Sequence, residues 1–318
     1  MILDALKFVQ GAVAKKDLVP ELMHFRIEDG RIKGYNGSLA LCSPIEVDMC
    51  VTPRATSFVK AIQTCTETIQ LNMTEKGRLS VMSGTFRALI DCIEDEAYPE
   101  LHPSGEWFDF DFDIVASLKK IAPFISEDAS RPWSRGVLIK GSSAYATNNV
   151  VAVELWLGSP CPIEVNIPRS AVMELIRIGE EPTGIQVAHN SITFHYEEGR
   201  WLRSQLLSLE WPDVTQLLEA PSAPQPVSKE FFSALSSLEP FVGEVGALYF
   251  REGSVSTSPN EDEGASQKLE YAIGPCAFHH KQLALVGSVA TKVDWSTYPG
   301  PCLFYGKGLR GALIGIRV

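Results

Sequence analysis

Carboxylates alternate with phenylalanines at one place in this 318-residue chain. Asp109, Asp111 and Asp113 are separated by Phe110 and Phe112, and such a row of carboxylates could hold the divalent metal ions that promote phosphodiester hydrolysis. In an extended strand, however, alternate side chains point to opposite faces. The same spacing therefore also predicts a strand with a buried aromatic face and a solvated acidic face. A metal-dependent nuclease and a strand without chemistry both stay open.

Other groups of residues match catalytic or ligand-binding motifs only in part. Residues 306–311 read G-x-G-x-x-G, but the dinucleotide-binding form of this motif opens a helix and is followed by an acidic residue about 20 positions later. Only seven residues follow Gly311, so we expect a hairpin turn. No G-x-S-x-G nucleophile motif occurs, and we predict a non-catalytic protein without metal or cofactor. The histidines without metal-ligand spacing are His189, His195, His279 and His280.

The cysteines and the charge balance narrow the class of protein. Seven cysteines are scattered without a C-x-x-C pair, which argues against a disulfide framework and a zinc site. The chain is 45% hydrophobic and 21% charged, as in ordinary soluble globular proteins. Its net charge of -11 argues against a uniformly basic surface, although the 28 Lys and Arg residues could be concentrated on one face. We find no signal peptide and no membrane-spanning run, and we expect a cytoplasmic protein that contacts no membrane.

An amphipathic helix pattern occurs three times, at offsets of 112 and 117 residues. Each copy places apolar residues at positions i, i+3 and i+7, the spacing of one helix face. The three sets are Leu6, Val9 and Val13; Leu118, Ile121 and Ile125; and Leu235, Leu238 and Val242.

Each of these helices is followed by the same series of elements. A β-rich run broken near a glycine predicts a hairpin, and a second helix follows, opened by proline at its first turn in the first two copies. Two strands close each copy. The hairpin runs begin at 25–27, 137–139 and 248–250; the second helices start at Pro53 and Pro168 and span about 278–291 in the third copy; the closing strands are 69–71 with 86–90, 185–187 with 201–206, and 302–305 with 312–316.

Helices grouped on antiparallel strands predict an α+β fold of three repeated modules, 1–104, 105–221 and 222–318. The first two modules each end in an aromatic-Pro-acid-aliphatic tag, at 98–101 and 211–214. A proline-rich segment precedes the third module and predicts a stiff linker over 220–226.

Three segments of the chain resemble the bacterial replicative sliding clamp, the β subunit of the replicative DNA polymerase. Residues 167–177, Ile-Pro-Arg-Ser-Ala-Val-Met-Glu-Leu-Ile-Arg, are similar to the family's Val-Pro-Arg-x-x-Val-x-Glu-Leu-x-Arg. Trp211-Pro212-Asp213 resembles its Phe-Pro-Asp, and Ile-Gly-Ile-Arg-Val at 314–318 resembles its Met-Pro-Met-Arg-Leu. The chain is shorter than the usual bacterial clamp, which points to a divergent version such as a phage-encoded one.

This resemblance implies a non-catalytic DNA sliding clamp, a processivity factor that encircles duplex DNA without reading its sequence. The clamp modules would place antiparallel sheets outside and two helices each inside. Two chains would close a ring of six modules as a homodimer through head-to-tail contacts. The implied partners are double-stranded DNA, a second copy of the chain, and a DNA polymerase and clamp loader bound through short peptide motifs.

Basic residues opposite the apolar helix faces are the candidate DNA-binding residues. A helix packed through Leu6, Val9 and Val13 turns Lys7 and Lys15 to the opposite side. Flexible cations attract DNA phosphates without reading bases. The alternative is that these residues only solvate exposed helix faces. The full predicted set is Lys7, Lys15, Lys60, Lys119, Lys120, Arg169, Arg177, Lys281 and Lys292.

The resemblance also implies a groove for a short apolar peptide of the polymerase or loader. Where the family has Thr-Asp-Gly-His-Arg-Leu, residues 147–152 read Thr-Asn-Asn-Val-Val-Ala, so the resemblance does not define the peptide preference. Ordinary packing between modules is the alternative, and a scaffold that binds only proteins through this groove would need none of the basic residues. The predicted groove residues are Thr147, Val150, Val151, Pro212, Gln216, Leu217, Ile314, Gly315 and Ile316.

Overall fold

The computed structural model describes residues 2–94, 98–260, 262–270 and 273–317. The chain folds into two compact units. The first unit comprises Met1–Phe110 and Ser170–Leu206, and the second comprises Asp111–Arg169 and Leu207–Val318. The predicted middle module, 105–221, is therefore shared between the two units. The division into three modules stays a prediction.

The described residues include seven α-helices. Their bounds are α1 Ile2–Val9, α2 Ala55–Thr64, α3 Ile114–Ile121, α4 Arg169–Ile178, α5 Thr215–Leu218, α6 Lys229–Ser236 and α7 His280–Gly287. The longer ones are amphipathic, with one apolar stripe turned to a core. In α1, Leu6 and Val9 are buried while Lys7 between them is exposed.

The strands found in the same residues pair in an antiparallel manner throughout. Their bounds are β1 Phe25–Glu28, β2 Arg31–Tyr35, β3 Leu39–Pro44, β4 Gln70–Met73, β5 Arg78–Ser83, β6 Phe86–Asp91, β7 Glu106–Phe108, β8 Gly136–Lys140, β9 Ser143–Thr147, β10 Val151–Trp156, β11 Val165–Pro168, β12 Gly184–Ala188, β13 Ser191–His195, β14 Trp201–Gln205, β15 Gln225–Pro226, β16 Ala247–Arg251, β17 Ser254–Ser256, β18 Ser266–Lys268, β19 Cys276–His279, β20 Ala290–Val293, β21 Cys302–Gly306 and β22 Leu309–Leu313.

Each unit contains one large and one small sheet. In the first unit the orders are β1-β2-β3-β14-β13-β12-β7 and β4-β5-β6, and α1 packs on β3 and on α2. In the second unit they are β11-β8-β9-β10-β22-β21-β20-β15 and β18-β17-β16-β19, with α3 against β9 and β10, and α6 against α7. Helices on antiparallel sheets confirm the predicted α+β class.

One strand connection occurs in both large sheets. In the first, β3 pairs with β14, and in the second, β10 pairs with β22. Each connection joins the third strand of one copy of the repeat to the last strand of the next copy. Two strands at these repeat positions take no part in such a connection: β18, the third strand of the third copy, and β6, the last strand of the first copy. Both lie at the edges of their sheets.

The first helix of each copy is confirmed, but each ends earlier than the apolar pattern predicted. After Val9, α1 gives way to a 3-10 turn, Gln10–Ala12. Equivalent turns at Ala122–Phe124 and Glu239–Phe241 repeat the offsets of 112 and 117 residues. In a 3-10 turn, side chains at i and i+3 share a face, so the apolar spacing continues past the helix end. Lys15 therefore lies outside α1, contrary to the prediction.

The prediction that a proline occupies the first turn of the second helices is wrong. Helix α2 begins at Ala55 and α4 at Arg169, so Pro53 and Pro168 both precede the helices. Pro168 is the last residue of β11, a position where proline's fixed φ is tolerated. Helix α7 is also shorter than the predicted 278–291, and Lys292 lies in β20.

The predicted hairpins are confirmed as β1-β2, β8-β9 and β16-β17. The glycine-rich segment 306–311 is the β21-β22 hairpin, with Gly308 at a φ of 67° in its turn. In the first copy the middle closing strand, β5 between β4 and β6, was not predicted. In the third copy the predicted strands are β21 and β22, and the strand before them, β20, was not predicted. The last strand ends at Leu313 rather than at residue 316, and the predicted linker 220–226 contributes β15 to the large sheet of its unit.

The row of alternating aspartates does not lie on one strand, contrary to both interpretations, which placed the three carboxylates on one strand face. Strand β7 ends at Phe108, and Asp109, Asp111 and Asp113 follow it outside any strand. Asp113 immediately precedes α3. Without strand geometry, the spacing no longer places the three carboxylates on a common face.

Candidate nucleic-acid interface and peptide groove

The basic residues of α1, α2 and α3 lie on exposed helix faces. The side chain of Lys7 is 67% exposed, and its nearest ion-pair partner is Asp4 on the same helix at 3.9 Å. Lys60 is exposed on α2, opposite the buried Phe58 and Ile62. An exposed ion pair of this length contributes little energy. Asp4 therefore neutralises little of the positive potential around the Lys7 ammonium.

Helix α3 presents two adjacent cations at its carboxyl end. Lys119 and Lys120 are exposed in its last turn, while Leu118 and Ile121 are buried. The sequence of α3 contains no acidic residue. Cations in the last turn also interact favourably with the partial negative charge of the helix terminus. Lys119 and Lys120 therefore stabilise the end of α3 as well as adding positive charge to its exposed face.

Arg177 has a different environment from the lysines. Its guanidinium donates from Nη1 to the carbonyl of Lys7 at 2.9 Å and from Nη2 to the carbonyl of Phe8 at 2.8 Å. Its Nε donates to the carboxylate of Glu174 at 2.9 Å. Arg177 thus binds the carbonyl end of α1 to α4 inside the first unit, and contact with a phosphate would compete with these bonds.

The other predicted DNA-binding residues occupy varied positions. Arg169 is paired with Glu127 at 3.1 Å, with its own side chain 46% exposed. Lys281 is exposed in the first turn of α7, whereas the exposed Lys15 and Lys292 lie outside helices. Helix positions were therefore correct for Lys7, Lys60, Lys119, Lys120, Arg169, Arg177 and Lys281.

One basic residue was missed from the sequence. Arg54 is exposed and directly precedes α2, as Pro168 and Arg169 mark the start of α4. The signal was available, because the Pro-Arg pair occurs at the start of both helices. Arg54 therefore joins the candidate nucleic-acid interface.

The predicted groove contains a network built around residues 147–151 and the strand end at Leu313. Thr147 Oγ1 donates to the carbonyl of Val151 at 2.8 Å, and the amide of Asn149 donates to Thr147 Oγ1 at 3.0 Å. The amide of Ile314 donates to the carbonyl of Val150 at 2.9 Å, which holds the segment after β22 against this loop. Ile314 is 46% exposed, so it offers an apolar surface there.

The one-turn helix α5 supplies the second part of the groove. Val214 and Leu217 pack around a buried cluster of Leu218, Leu303 and Ala312, which seats α5 on β22. Leu217 is partly exposed, and Pro212 and Gln216 are exposed. The preceding tag is anchored by Trp211, whose ring meets that of Trp133 edge-on with centroids 5.1 Å apart.

The end of the described chain passes beside β19. The amide of Ile316 donates to the carbonyl of Ala277 at 2.7 Å, and Tyr298 donates its hydroxyl to the carbonyl of Ile316. A Cβ on Gly315 would lie 2.5 Å from the Tyr298 ring, so the close approach requires glycine. The structure thus brings together Thr147, Val150, Val151 and Ile314, and separately fixes Leu217 and residues 315–316. Their joint use as a groove stays a prediction.

The described residues also bear on metal sites and on membrane spans. No group of three or more His, Cys, Asp or Glu side chains in residues 2–94, 98–260, 262–270 and 273–317 is arranged to hold a metal ion. Within the same ranges, every helix is too short or too polar to cross a bilayer.

The fold was compared with known proteins. No protein-family model matches the sequence, and no curated protein matches it either. Solved structures do match over the whole chain. The beta sliding clamp of Caulobacter crescentus has a TM-score of 0.86 at 18% identity, covering 100% of this chain and 97% of that one.

Clamps from other bacteria are similarly close. The DNA polymerase sliding clamp of Bacillus subtilis has a TM-score of 0.85 at 17% identity, over 100% of this chain and 97% of that one. The DNA polymerase beta subunit of Streptococcus pyogenes has a TM-score of 0.84 at 16% identity, over 100% and 98%. The chain therefore has the sliding-clamp fold, and the predicted resemblance is confirmed at the level of the fold.

Proposed function

We propose that the protein is a DNA sliding clamp. Two copies close a ring around duplex DNA in the cytoplasm and hold a polymerase on its template, without catalysing a reaction. The observation on which this rests is that exposed lysines recur on the repeated helices of an acidic chain that has the clamp fold throughout. A lining of flexible cations attracts phosphates without sequence preference, which permits sliding.

Within the described residues, β6 and β18 each have a neighbouring strand on one side only, and these sheet edges support closure by a second copy. Strand β18 is the equivalent of β3 and β10, and β6 is the equivalent of β14 and β22. In the other copies these equivalents pair with each other, as β3-β14 and β10-β22. An unpaired edge is a template for another strand, and a head-to-tail pair of contacts closes a two-chain ring. In sedimentation equilibrium we expect twice the chain mass of 34.9 kDa. A monomer at all concentrations would contradict ring closure by two copies.

The topological part of the proposal has a direct test. The protein is loaded onto a nicked circular DNA, and the circle is then cut once. A clamp should slide off the free ends and stay on the uncut circle. Equal retention on both forms would refute encirclement.

Charge reversal separates a clamp from a scaffold that binds only proteins. We expect the paired change Lys7→Glu and Lys119→Glu to abolish retention on the circle. The matched control reverses Lys76 and Lys307, which are also exposed but lie in hairpin turns between strands. Equal retention by both double variants would favour the scaffold.

We also propose that the groove formed by residues 147–151, α5 and 314–316 binds short apolar peptides of the polymerase and clamp loader. Partly exposed Leu217 and Ile314 are suitable anchors, since such grooves use exposed apolar residues. The test is fluorescence polarisation with labelled hexapeptides that each contain two apolar residues. Binding that is weakened in Leu217→Ala and in Ile314→Ala supports the groove, and unchanged binding contradicts it.

A further inference from the structure

Glu154 and Arg310 form an ion pair across the two strands that join in the second unit. They are direct partners in the β10-β22 register, and Arg310 Nε donates to Glu154 Oε2 at 2.6 Å. The side chains are only 14% and 32% exposed. Charge-assisted hydrogen bonds of this length are stronger than neutral ones, so the pair fixes the orientation of the Arg310 guanidinium.

The second oxygen of Glu154 is also occupied. Ser143 Oγ donates to Oε1 at 2.8 Å, and the Tyr145 hydroxyl donates to the same atom at 3.0 Å. Burial favours the neutral carboxyl, but the hydrogen bonds from Ser143 and Arg310 outweigh it and lower the pKa of Glu154. The carboxylate is therefore ionised at neutral pH and fixed by strands β9, β10 and β22 together.

The remaining donors of Arg310 reach the end of α5. Nη1 lies 3.4 Å from the carbonyl oxygen of Leu218, and Nη2 lies 3.7 Å from the carboxylate of Glu219. The last carbonyls of a helix have no partner within the helix and carry partial negative charge. Arg310 thus connects Glu154 in the sheet to the carboxyl end of α5.

Helix α5 cannot be stable by itself. It has a single turn, Thr215–Leu218, and isolated helices of that length do not form in water. At its start, the amide of Thr215 donates to Asp213 Oδ1 at 2.9 Å. Its last residue, Leu218, is 2% exposed in the cluster with Leu303 and Ala312. Arg310 contacts the carbonyl oxygen of this same residue.

We infer that Arg310, oriented by Glu154, is a positioning residue for the peptide groove. It holds the end of α5 on the sheet and so keeps Leu217 turned toward a bound peptide. This inference rests on the proposed peptide-binding function of the groove. Arg310 itself need not touch the peptide.

The experiment compares Arg310→Met, which keeps the aliphatic stem, with Arg310→Lys, Glu154→Gln and the control Lys307→Met. Peptide affinity is measured with the apolar hexapeptides, and α5 is followed by amide hydrogen exchange. We expect Arg310→Met to weaken binding about tenfold, which is about 1.4 kcal/mol. Arg310→Lys should recover part of this loss, because it keeps the charge but not the fork of donors. Lys307→Met should bind as the wild type does.

A double-mutant cycle distinguishes positioning from general stabilisation. If Arg310 acts through Leu217, the loss caused by Arg310→Met should disappear in the Leu217→Ala background. Two outcomes would overturn the inference. One is a loss of affinity in the double variant that equals the product of the two single losses, and the other is wild-type affinity in Arg310→Met.

Hydrogen exchange gives an answer that does not depend on a peptide. The amides of Leu218 and Glu219 donate to the carbonyls of Val214 and Thr215, and they should exchange faster in Arg310→Met, while those of β10 change little. Unchanged exchange at 218 and 219 would overturn the inference. If the wild type binds none of the peptides, the proposed groove fails, and exchange still decides whether Arg310 holds α5.

Discussion

A Cβ atom placed on Gly11 would lie 1.9 Å from Oε1 of Glu174, because the carboxylate of α4 sits directly over the 3-10 turn that follows α1. The same carboxylate holds Arg177, which in turn binds the carbonyls of Lys7 and Phe8. Glycine at position 11 therefore makes room for the link between α1 and α4. Lys7 sits on the helix that this link orients.

Replacing Gly11 with alanine should destabilise the protein by about 1–3 kcal/mol, since the methyl group displaces the Glu174 carboxylate from Arg177. In a Glu174→Ala background the same change should cost little, because the three atoms nearest to the new Cβ all belong to Glu174. Urea denaturation of the four proteins measures this coupling. Equal losses in both backgrounds would show that another contact is responsible.

DNA affinity should respond differently to lysines and to Arg177. Lys119→Ala should lower the slope of log K against log salt by about 0.9, the value for one phosphate contact on duplex DNA. Arg177→Ala should mainly lower the melting temperature, because its guanidinium already binds Glu174 and two carbonyls of α1. Salt titrations of DNA binding, together with thermal melts, separate the two effects. A salt slope that falls equally in both variants would assign Arg177 to the DNA contacts.

Stability in mild acid should depend on Glu154. Its folded pKa is lowered, so its contribution to stability is complete above the ordinary glutamate value of 4.5 and is lost as the pH falls through the folded value. Glu154→Gln should therefore lose stability at pH 7 and approach the wild type as the pH falls below 4.5 and through the lowered folded pKa. Denaturant midpoints across this range provide the measurement. A constant difference at every pH would assign the loss to packing instead of charge.

The neighbouring leucines of α5 should have separable effects. Leu218 is 2% exposed, so Leu218→Ala should destabilise the protein by about 2–5 kcal/mol through the cavity it leaves. Leu217 is only partly buried, and Leu217→Ala should cost much less stability while weakening peptide binding. Calorimetry and fluorescence polarisation on the same samples test this pair. If Leu217→Ala is the more destabilising of the two changes, α5 packs on the sheet through Leu217 instead of Leu218.

Thiol reactivity should divide the cysteines. Burial raises the pKa of Cys276 to about 12, so its thiolate is scarce at pH 8, whereas Cys50 is exposed. We expect Cys50 to react first with Ellman's reagent, and Cys276 only on unfolding. Peptide mapping after a short reaction identifies the site. Early labelling of Cys276 would indicate that β19 opens readily.

The apolar and glycine patterns alone were enough to predict the three first helices, the three hairpins and the α+β class. These are local features, since a helix face or a hairpin turn is encoded by neighbouring residues. The pattern overran the ends of helices, as at Val13, because a 3-10 turn keeps the i, i+3 spacing. It also placed Asp109, Asp111 and Asp113 on a strand, because alternation cannot distinguish a strand from an extended loop.

Residue type and spacing also located the exposed lysines, because an amphipathic helix turns its charged face to solvent wherever it packs. Only the tertiary structure decided which cations are free and which are engaged. Arg177 was predicted on an amphipathic helix, as Lys119 was, and Arg310 lies in a predicted hairpin, but their partners Phe8 and Glu154 lie 169 and 156 positions away. Such pairs form when separate strands and helices pack together, and no local pattern encodes that distance.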